Sequence, residues 1–374
     1  MDLKPTDEQQ AIADALHDFA ESEIRPAARE CEEAGAVVER IDKQLFEMGV
    51  AVPLPEPFGG QGTFDTVTSM IIAEEIAWGD PAVAFQVLYS GAAATLIDIG
   101  GTDQQRAELL PRFAEGARGC VALAERDAGS DVSLLDSTAT EDGKLSGTKY
   151  AVVNAEVGSV RLAVVRMNQE PSLWLIPEEA DIVLMPEDKL GLRGAKTFKV
   201  TLDQVAAATR IGAAGAEIMP ALLRVKLIDA AIAIGLGRAS LEYATRYAQE
   251  RTAFGRPIGA FQAIAFKIAD RAMDLETSRL LVWEAAAAVD SGDVNAQSMV
   301  MSACGHAVTS AVNIADDGVQ ILGGHGYMRD HPQELWYRDA LTLATLDSSS
   351  MVGDVFGARS FRFGGNSEDR GALT

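Results

Sequence analysis

The sequence predicts an α+β protein of several domains, with helices first, strands second and helices again last. Three observations carry that reading. From Thr6 to about Gly119 the pattern is helical, from there to about Ile211 the chain breaks into short β-favouring runs, and beyond that helical periodicity returns almost to the end. A chain of 374 residues is too long for one ordinary core and suits two or three domains. The expected divisions are residues 1–117 for an N-terminal α-helical domain, 118–212 for a middle antiparallel β domain and 213–374 for a C-terminal helix bundle. Strands that are not interleaved with helices argue against a parallel βαβ sheet, and no solenoid-type repeat is visible.

The first helix opens at Thr6, where T-x-x-Q has the form of a capping box. Turns follow at PLPEPFGGQG and DIGGTDQQ, where Gly, Pro and Asp interrupt the helical pattern. The β runs are GCVALAE, KYAVVN, VRLAVVRM, SLWLIP and TFKVTLDQV, split by EDGKLSG, RMNQEP and MPEDKLGLRG. Helical periodicity resumes near IGAAGAE, from Ile211 to Glu217. One helix is expected from about Phe261 to Val289, with Phe261, Ile264, Ala265, Ile268, Ala272 and Leu275 on one face; at 1.5 Å per residue it spans roughly 40 Å. Helices of that length suit bundles and subunit interfaces.

Composition narrows the partners. A net charge of -23 disfavours nucleic acid and anionic membranes, which reward clustered Lys and Arg. Hydrophobic residues make up 48%, but Asp229 breaks the best apolar run, LIDAAIAIGLG, short of the roughly 18 residues a membrane span requires. The start, MDLKPTDEQQ, has neither signal-peptide nor transit-peptide character, so a cytoplasmic location is expected. Cys31, Cys120 and Cys304 lie far apart and the four histidines show no ligand spacing. Neither a disulfide framework nor a metal site is expected.

GLGRAS, from Gly235 to Ser240, has the outline of a dinucleotide fingerprint but sits in a helical pattern with no strand before it. Small residues for close helix packing explain it better. His325 and His331 flank GYMRD without partners at metal or triad spacing, and neither is assigned a catalytic role. Two other strings carry more. YAQERTAFGRPIGAFQAI supplies Arg251, Phe254, Gly255 and Gln262; QILGGHGYMRDHPQELWYRDA supplies Gln320, Gly323, Gly324, Gly326, Arg338 and Asp339. A guanidinium after a helix can grip a diphosphate in fork geometry, glycines let backbone N–H groups approach a cofactor, and a glutamine amide can read adenine or bridge phosphate oxygens. Helix capping and a plain turn would account for the same residues without a ligand.

Taken in order, the two strings resemble the acyl-CoA dehydrogenases, whose R-x-x-F-G-x6-Q, Q-x-x-G-G-x-G-[FY] and R-D-A patterns they match. PEPFGGQG, AERDAGSD, LSGTKYAVVN and KLGLRGAKTFKVTLDQV extend the resemblance over nearly the whole chain. It implies an acyl-CoA dehydrogenase-like fold with a C-terminal four-helix bundle, and FAD bridging the subunits of a homo- or hetero-oligomer, a dimer or a tetramer such as a homotetramer. Arg251, Phe254, Gln262, Gln320, Gly323, Gly324 and Ser349 would then bind the cofactor, and Leu123, Ala124, Gly129, Ser130, Ala151 and Val153 would lie along its ring. Ser130 would also approach the substrate, and Lys226 could meet a CoA phosphate. The implied reaction is α,β-dehydrogenation of an acyl-CoA or acyl-carrier thioester in fatty acid or lipid metabolism, with an electron-transfer flavoprotein as acceptor. Because CoA is polyanionic, Arg126, Arg193, Lys196, Arg224 and Lys226 are candidates for a basic lining.

Departures from the family pattern lie beside the expected flavin. Ala124 stands where a threonine is usual, Arg126-Asp127 where Pro-Gly is usual, and Ala151 and Val153 replace an aromatic residue and a hydroxyl. Hydrogen bonds that tune the ring, and a packing wall, are thereby removed. Aligned from R-D-A, Asp347 falls where many of these enzymes carry the catalytic glutamate, with Ser348 and Ser349 in place of Gly and Thr. A carboxylate in a dry pocket suits proton removal next to a thioester, yet Asp is one methylene shorter than Glu, and an aspartate before SSSMVGDVFG is also a good helix cap. Two other readings stay open. One is a flavin oxidase or hydroxylase, since nitroalkane oxidases resemble this fold and use an aspartate; the other is a partner subunit of a heteromeric acyl-CoA dehydrogenase, as in bacterial steroid side-chain breakdown.

Overall fold

The computed structural model describes residues 4–128, 132, 134–212 and 218–346. Helices come first: α1 (Asp7–Phe19), α2 (Arg25–Ala34), α3 (Glu39–Glu47), α4 (Thr66–Gly79), α5 (Pro81–Gly100) and α6 (Asp103–Ala114). The expected capping box opens α1, with Thr6 Oγ1 accepting from the Gln9 N–H at 3.2 Å and the Gln9 side chain returning to the Thr6 N–H at 3.0 Å. Thr102 and Gln105 repeat the device at α6. A buried aspartate, Asp80, caps α5 by accepting from the Val83 N–H at 2.9 Å. Both α4 and α5 are buried almost all round, which makes them core helices.

Eight strands follow in one sheet: β1 (Gly119–Ala122), β2 (Thr138–Ala139), β3 (Leu145–Val153), β4 (Val160–Met167), β5 (Glu170–Ile176), β6 (Val183–Pro186), β7 (Thr197–Val205) and β8 (Thr209–Ile211). The path across it is β6-β7-β3-β2-β4-β5-β8, with β1 beside β4. The expectation of an antiparallel domain needs amending here. Although β3, β5, β6, β7 and β8 pair antiparallel, β1 and β2 both run parallel to β4. A parallel pair needs a long crossover, and residues 123–159 supply it by way of β2 and β3.

The last part holds α7 (Met219–Glu250), a hairpin of β9 (Thr252–Ala253) and β10 (Arg256–Pro257), α8 (Gln262–Ser291), α9 (Ala296–Leu322) and α10 (Gln333–Leu346). Ile211 belongs to β8, and helix resumes at Met219, later than the sequence pattern suggested. Long α7 is the axis, packed against α4, α5, α8, α9 and α10. GLGRAS lies inside it, and a Cβ at Gly235 would overlap the Glu74 carbonyl of α4, so close helix packing is what its small residues serve. Glu74 and Glu75 are buried at the same crossing and paired, Glu74 with Arg279 at 2.8 Å and Arg238 at 2.9 Å, Glu75 with Arg238 and with His17 at 2.9 Å. Buried carboxylates are paired in this way or are driven toward their neutral form.

The most apolar long helix is not the one the sequence reading chose. LIDAAIAIGLG is a stretch of α7, whereas α5 is long and apolar enough by composition to cross a membrane, with 72% of that window buried inside the protein. Core burial explains its composition, because a central helix and a membrane helix pass the same test of length and hydropathy.

Candidate active site

A cavity of ≈ 40 Å³ opens where the three parts of the chain meet. Phe85 and Tyr89 reach it from α5; Val121, Leu123 and Ala124 from β1 and its exit; Tyr150 and Ala151 from β3; Val225 and Lys226 from α7; Leu346 from the end of α10. Three of the expected ring neighbours, Leu123, Ala124 and Ala151, therefore come together. Ala151 takes a φ of 54° at a register shift between β3 and β7, and its N–H donates to the Glu187 carboxylate at 3.1 Å. A non-glycine residue held at positive φ is strained and persists where its surroundings over-determine it.

Val153 is not placed as expected. It is 3% exposed, packs in the main core and does not line the cavity. It packs in the same cluster as the cavity-lining Phe85, Val121 and Val225, while Val152 between it and Ala151 faces the sheet's own core.

Lys226 is 7% exposed and lines this mostly apolar cavity, with its carbonyl accepting from the Cys304 thiol. That interior position counts against a partner for a solvated CoA phosphate. One helical turn on, Asp229 is wholly buried and accepts from the Tyr89 hydroxyl at 2.7 Å. Sequence reasoning named Asp229 only as the break in an apolar run and missed Tyr89, which no motif marks. Asp347, Ser349, Gly129 and Ser130 lie outside the described residues; Leu346, on the cavity wall, immediately precedes Asp347.

Beneath the cavity wall sits a buried ion pair. Lys149 of β3 bonds Glu125 at 2.7 Å. Burial pushes the Lys149 ammonium down to about 8 even against the pull of Glu125. For Glu125, burial raises the carboxyl, but the Lys149 charge and hydrogen bonds from Lys149, Ser137 and Asp136 outweigh it and leave it below its ordinary value.

The two motif strings meet at one end of the bundle. Ile321 and Leu322 of the second pack with Ala244 and Ala248 and with Tyr247, Ile258 and Ile264 around the first. Arg251, Gln262, Gln320, Gly323 and Gly324 are all exposed there. Phe254 and Gly255, at φ 51° and 83°, make the two-residue turn of the β9–β10 hairpin, and Phe254 is 96% exposed. Among the described residues Arg251 has no ion-pair partner, and the space above Gly323 and Gly324 is open. Gly323 adopts φ 58° and ψ -129°, a conformation that other residues rarely take. His325 and His331 stack on each other at 5.0 Å and are bound by Tyr247 at 2.9 Å and Tyr243 at 2.7 Å.

R-D-A is used differently. Arg338 binds the Leu190 carbonyl at 3.1 Å, and Asp339 accepts from the Leu192 N–H at 2.5 Å. Thr342 accepts from the Gly191 N–H at 2.7 Å. KLGLRG is thus latched onto α10. Burial, then the nearby Asp80 charge, drives the Asp339 carboxyl well above its ordinary range.

The five basic candidates do not gather in one lining. Arg193 borders a groove of ≈ 680 Å³ with Glu32, Arg329, Glu334 and Arg338. Lys196 pairs with Glu156, Arg224 pairs with Asp290 at 2.6 Å, Lys226 lines the interior cavity, and Arg126 is exposed. That groove mixes both charge signs and shares no residue with the cavity.

Helices, a sheet and a helix bundle thus converge on one interior cavity, the architecture of a three-part α+β protein. Residues 6–117, 120–205 and 216–351 match in turn the N-terminal, middle and C-terminal domains of acyl-CoA dehydrogenases, and the chain belongs to the acyl-CoA dehydrogenase family. It is 34% identical over 353 residues to an acyl-CoA dehydrogenase of Bacillus subtilis, covering 90% of this chain and 93% of that one. A glutaryl-coenzyme A dehydrogenase, solved in complex with glutaryl-CoA, superposes with a TM-score of 0.85 at 30% identity, covering 96% of both chains. A chain from work on the electron transferring flavoprotein of Acidaminococcus fermentans gives 0.86 at 27% identity, covering 96% of this chain and 99% of that one.

Proposed function

We propose that this acyl-CoA dehydrogenase binds FAD at the exposed end of the bundle and dehydrogenates an acyl thioester in the cavity bounded by Phe85, Leu123, Ala151 and Leu346. The donor set fits the cofactor. Arg251 offers an uncommitted fork for a diphosphate, Gln262 and Gln320 offer amides, and the open backbone at Gly323 and Gly324 lets N–H groups approach phosphate oxygens. FAD, when bound, supplies the two-electron acceptor. Leu123, Ala124 and Ala151 wall the cavity and exclude water, which strengthens electrostatic interactions inside it. Ala124 brings no side-chain hydroxyl to the ring, so polar contacts on that edge fall to the backbone. Asp347, next after Leu346, takes the α-proton onto a carboxylate oxygen. Lys226, buried on the same cavity, serves the acyl end of the substrate and not a CoA phosphate.

Large apolar side chains are exposed at and beside the cofactor end: Phe254, Phe266, Met273, Tyr327 and Met328. Contiguous surface of that kind marks an association face, and it supports a dimer or tetramer whose second copy completes the FAD site. An electron-transfer flavoprotein is the proposed acceptor and the cytoplasm the proposed compartment.

The observation that carries this reading is the division of one cavity among all three parts of the chain, with Leu346 leading straight into Asp347. Steady-state oxidation of a panel of acyl-CoAs with an artificial acceptor tests it. Asp347→Asn is expected to lower kcat about 1000-fold, within the range for loss of a general base. An unchanged kcat in that variant would remove Asp347 from the reaction.

A further inference from the structure

The Lys149 ammonium is 0% exposed and uses all three of its protons. It donates to Glu125 Oε1 at 2.7 Å, to the Leu123 carbonyl at 3.1 Å and to the Val164 carbonyl at 2.5 Å. Glu125 in turn accepts from the backbone N–H groups of Asp136 at 2.6 Å and Ser137 at 3.1 Å. One buried pair therefore fastens β3, β4 and both ends of the segment between Glu125 and Asp136. Cavity walls lie on either side of the knot. Leu123 and Ala124 directly precede Glu125, while Tyr150 and Ala151 directly follow Lys149, and the Tyr150 N–H donates to the Ala124 carbonyl at 2.9 Å.

A buried ion pair is weak evidence for stability, because well-packed apolar residues of similar volume often do as well or better. What apolar residues cannot do is fix carbonyls and N–H groups of separate segments at set distances. Misplacement of about 1 Å near a reacting centre can cost roughly 100-fold in rate. We propose that Lys149 and Glu125 are positioning residues for the reaction, holding Leu123 and Ala124 in register with Tyr150 and Ala151, and the Asp136 and Ser137 backbone against the same knot, so that acyl group and cofactor are aligned. This rests on the catalytic reading of the cavity given above.

The test uses the full-length protein as purified, with its cofactor. Lys149→Met, close in length and uncharged, is compared with the parent and with Lys149→Arg, and two readouts are taken. Hydrogen exchange across residues 119–125 and 134–139 is expected to quicken at least tenfold in Lys149→Met while β5 exchange stays at the parent rate. With acyl-CoA and an artificial acceptor, kcat is expected to fall about 100-fold and KM by less than threefold in either direction, with part of kcat restored in Lys149→Arg. Should Lys149→Met not fold, Glu125→Gln is read by the same two criteria. Exchange unchanged across 119–125 and 134–139, or kcat within threefold of the parent, overturns the proposal even if the melting temperature drops. A parent that oxidises no acyl-CoA would count against the functional reading alone, and the exchange readout would still decide whether the pair fixes the segment.

Discussion

Two regions built from family motifs behave in opposite ways. At the latch between KLGLRG and R-D-A, Arg338 and Asp339 are spent inside the protein: Arg338 on the Leu190 carbonyl and on Glu32 and Glu334, Asp339 on the Leu192 N–H. At the bundle end, Arg251, Gln262, Gln320, Gly323 and Gly324 face outward. A motif residue consumed by its own fold is accounted for by folding; one left open has its interaction still to make. That contrast, more than the match itself, separates binding residues from structural ones in this chain.

The largest expected effect lies at the latch. A Cβ at Gly191 would overlap the Arg338 backbone, so Gly191→Val should destabilise by about 4 kcal/mol or more or prevent folding, as severe core overpacking does. Thermal unfolding reads it, and an unchanged melting temperature would mean that the latch yields. Next comes the open end. Arg251→Ala should weaken FAD binding about 30-fold, near 2 kcal/mol, while the FAD-free melting temperature stays within about 2 °C; equilibrium titration of FAD-free protein measures the first. Equal losses in both would place Arg251 with the latch residues.

Asp80 sharpens the contrast through pH. Burial pushes its carboxyl from 3.8 up to about 6, so below pH 3.8 neither state carries the charge and above pH 6 both do, with the folded state bearing the burial cost. Its contribution is therefore most favourable at low pH and is lost as pH rises through 6. Asp80→Asn keeps an N-cap side chain, and relative to the parent it should gain stability progressively between pH 4 and pH 7, on the order of 3 kcal/mol at roughly 1.4 kcal/mol per pH unit. Urea unfolding across that range measures the gain, and a constant difference would contradict it. The smallest effect is Phe254→Ala. Exposed as it is, this ring should change unfolding by less than about 0.5 kcal/mol, yet raise the dissociation constant of the proposed oligomer; sedimentation over a dilution series reads this, and a monomeric parent would contradict the proposed association.

Much of this was legible in sequence, and the failures share a cause. Order of parts, the Thr6 capping box, and a helix predicted from about Phe261 to Val289 and found from Gln262 to Ser291 all follow from short-range patterns. The two strings proposed to bind the cofactor could be singled out because each keeps its chemistry within a few residues. Tyr89 with Asp229, Lys149 with Glu125 and the parallel β1–β4 pair join residues far apart in the chain, and nothing local announces them. Val153 was placed by resemblance alone, and its packing in the core beside the cavity depends on residues from other elements that no local pattern names. Lys226 was read as a surface cation because Lys usually is one.

The most direct measurement is the visible absorption spectrum of the purified protein, titrated with acyl-CoAs in the absence of oxygen. The account predicts flavin bands at about one FAD per chain that bleach with at least one acyl-CoA of the panel. A colourless protein that takes up no FAD on incubation, or flavin bands that no acyl-CoA alters, would contradict it.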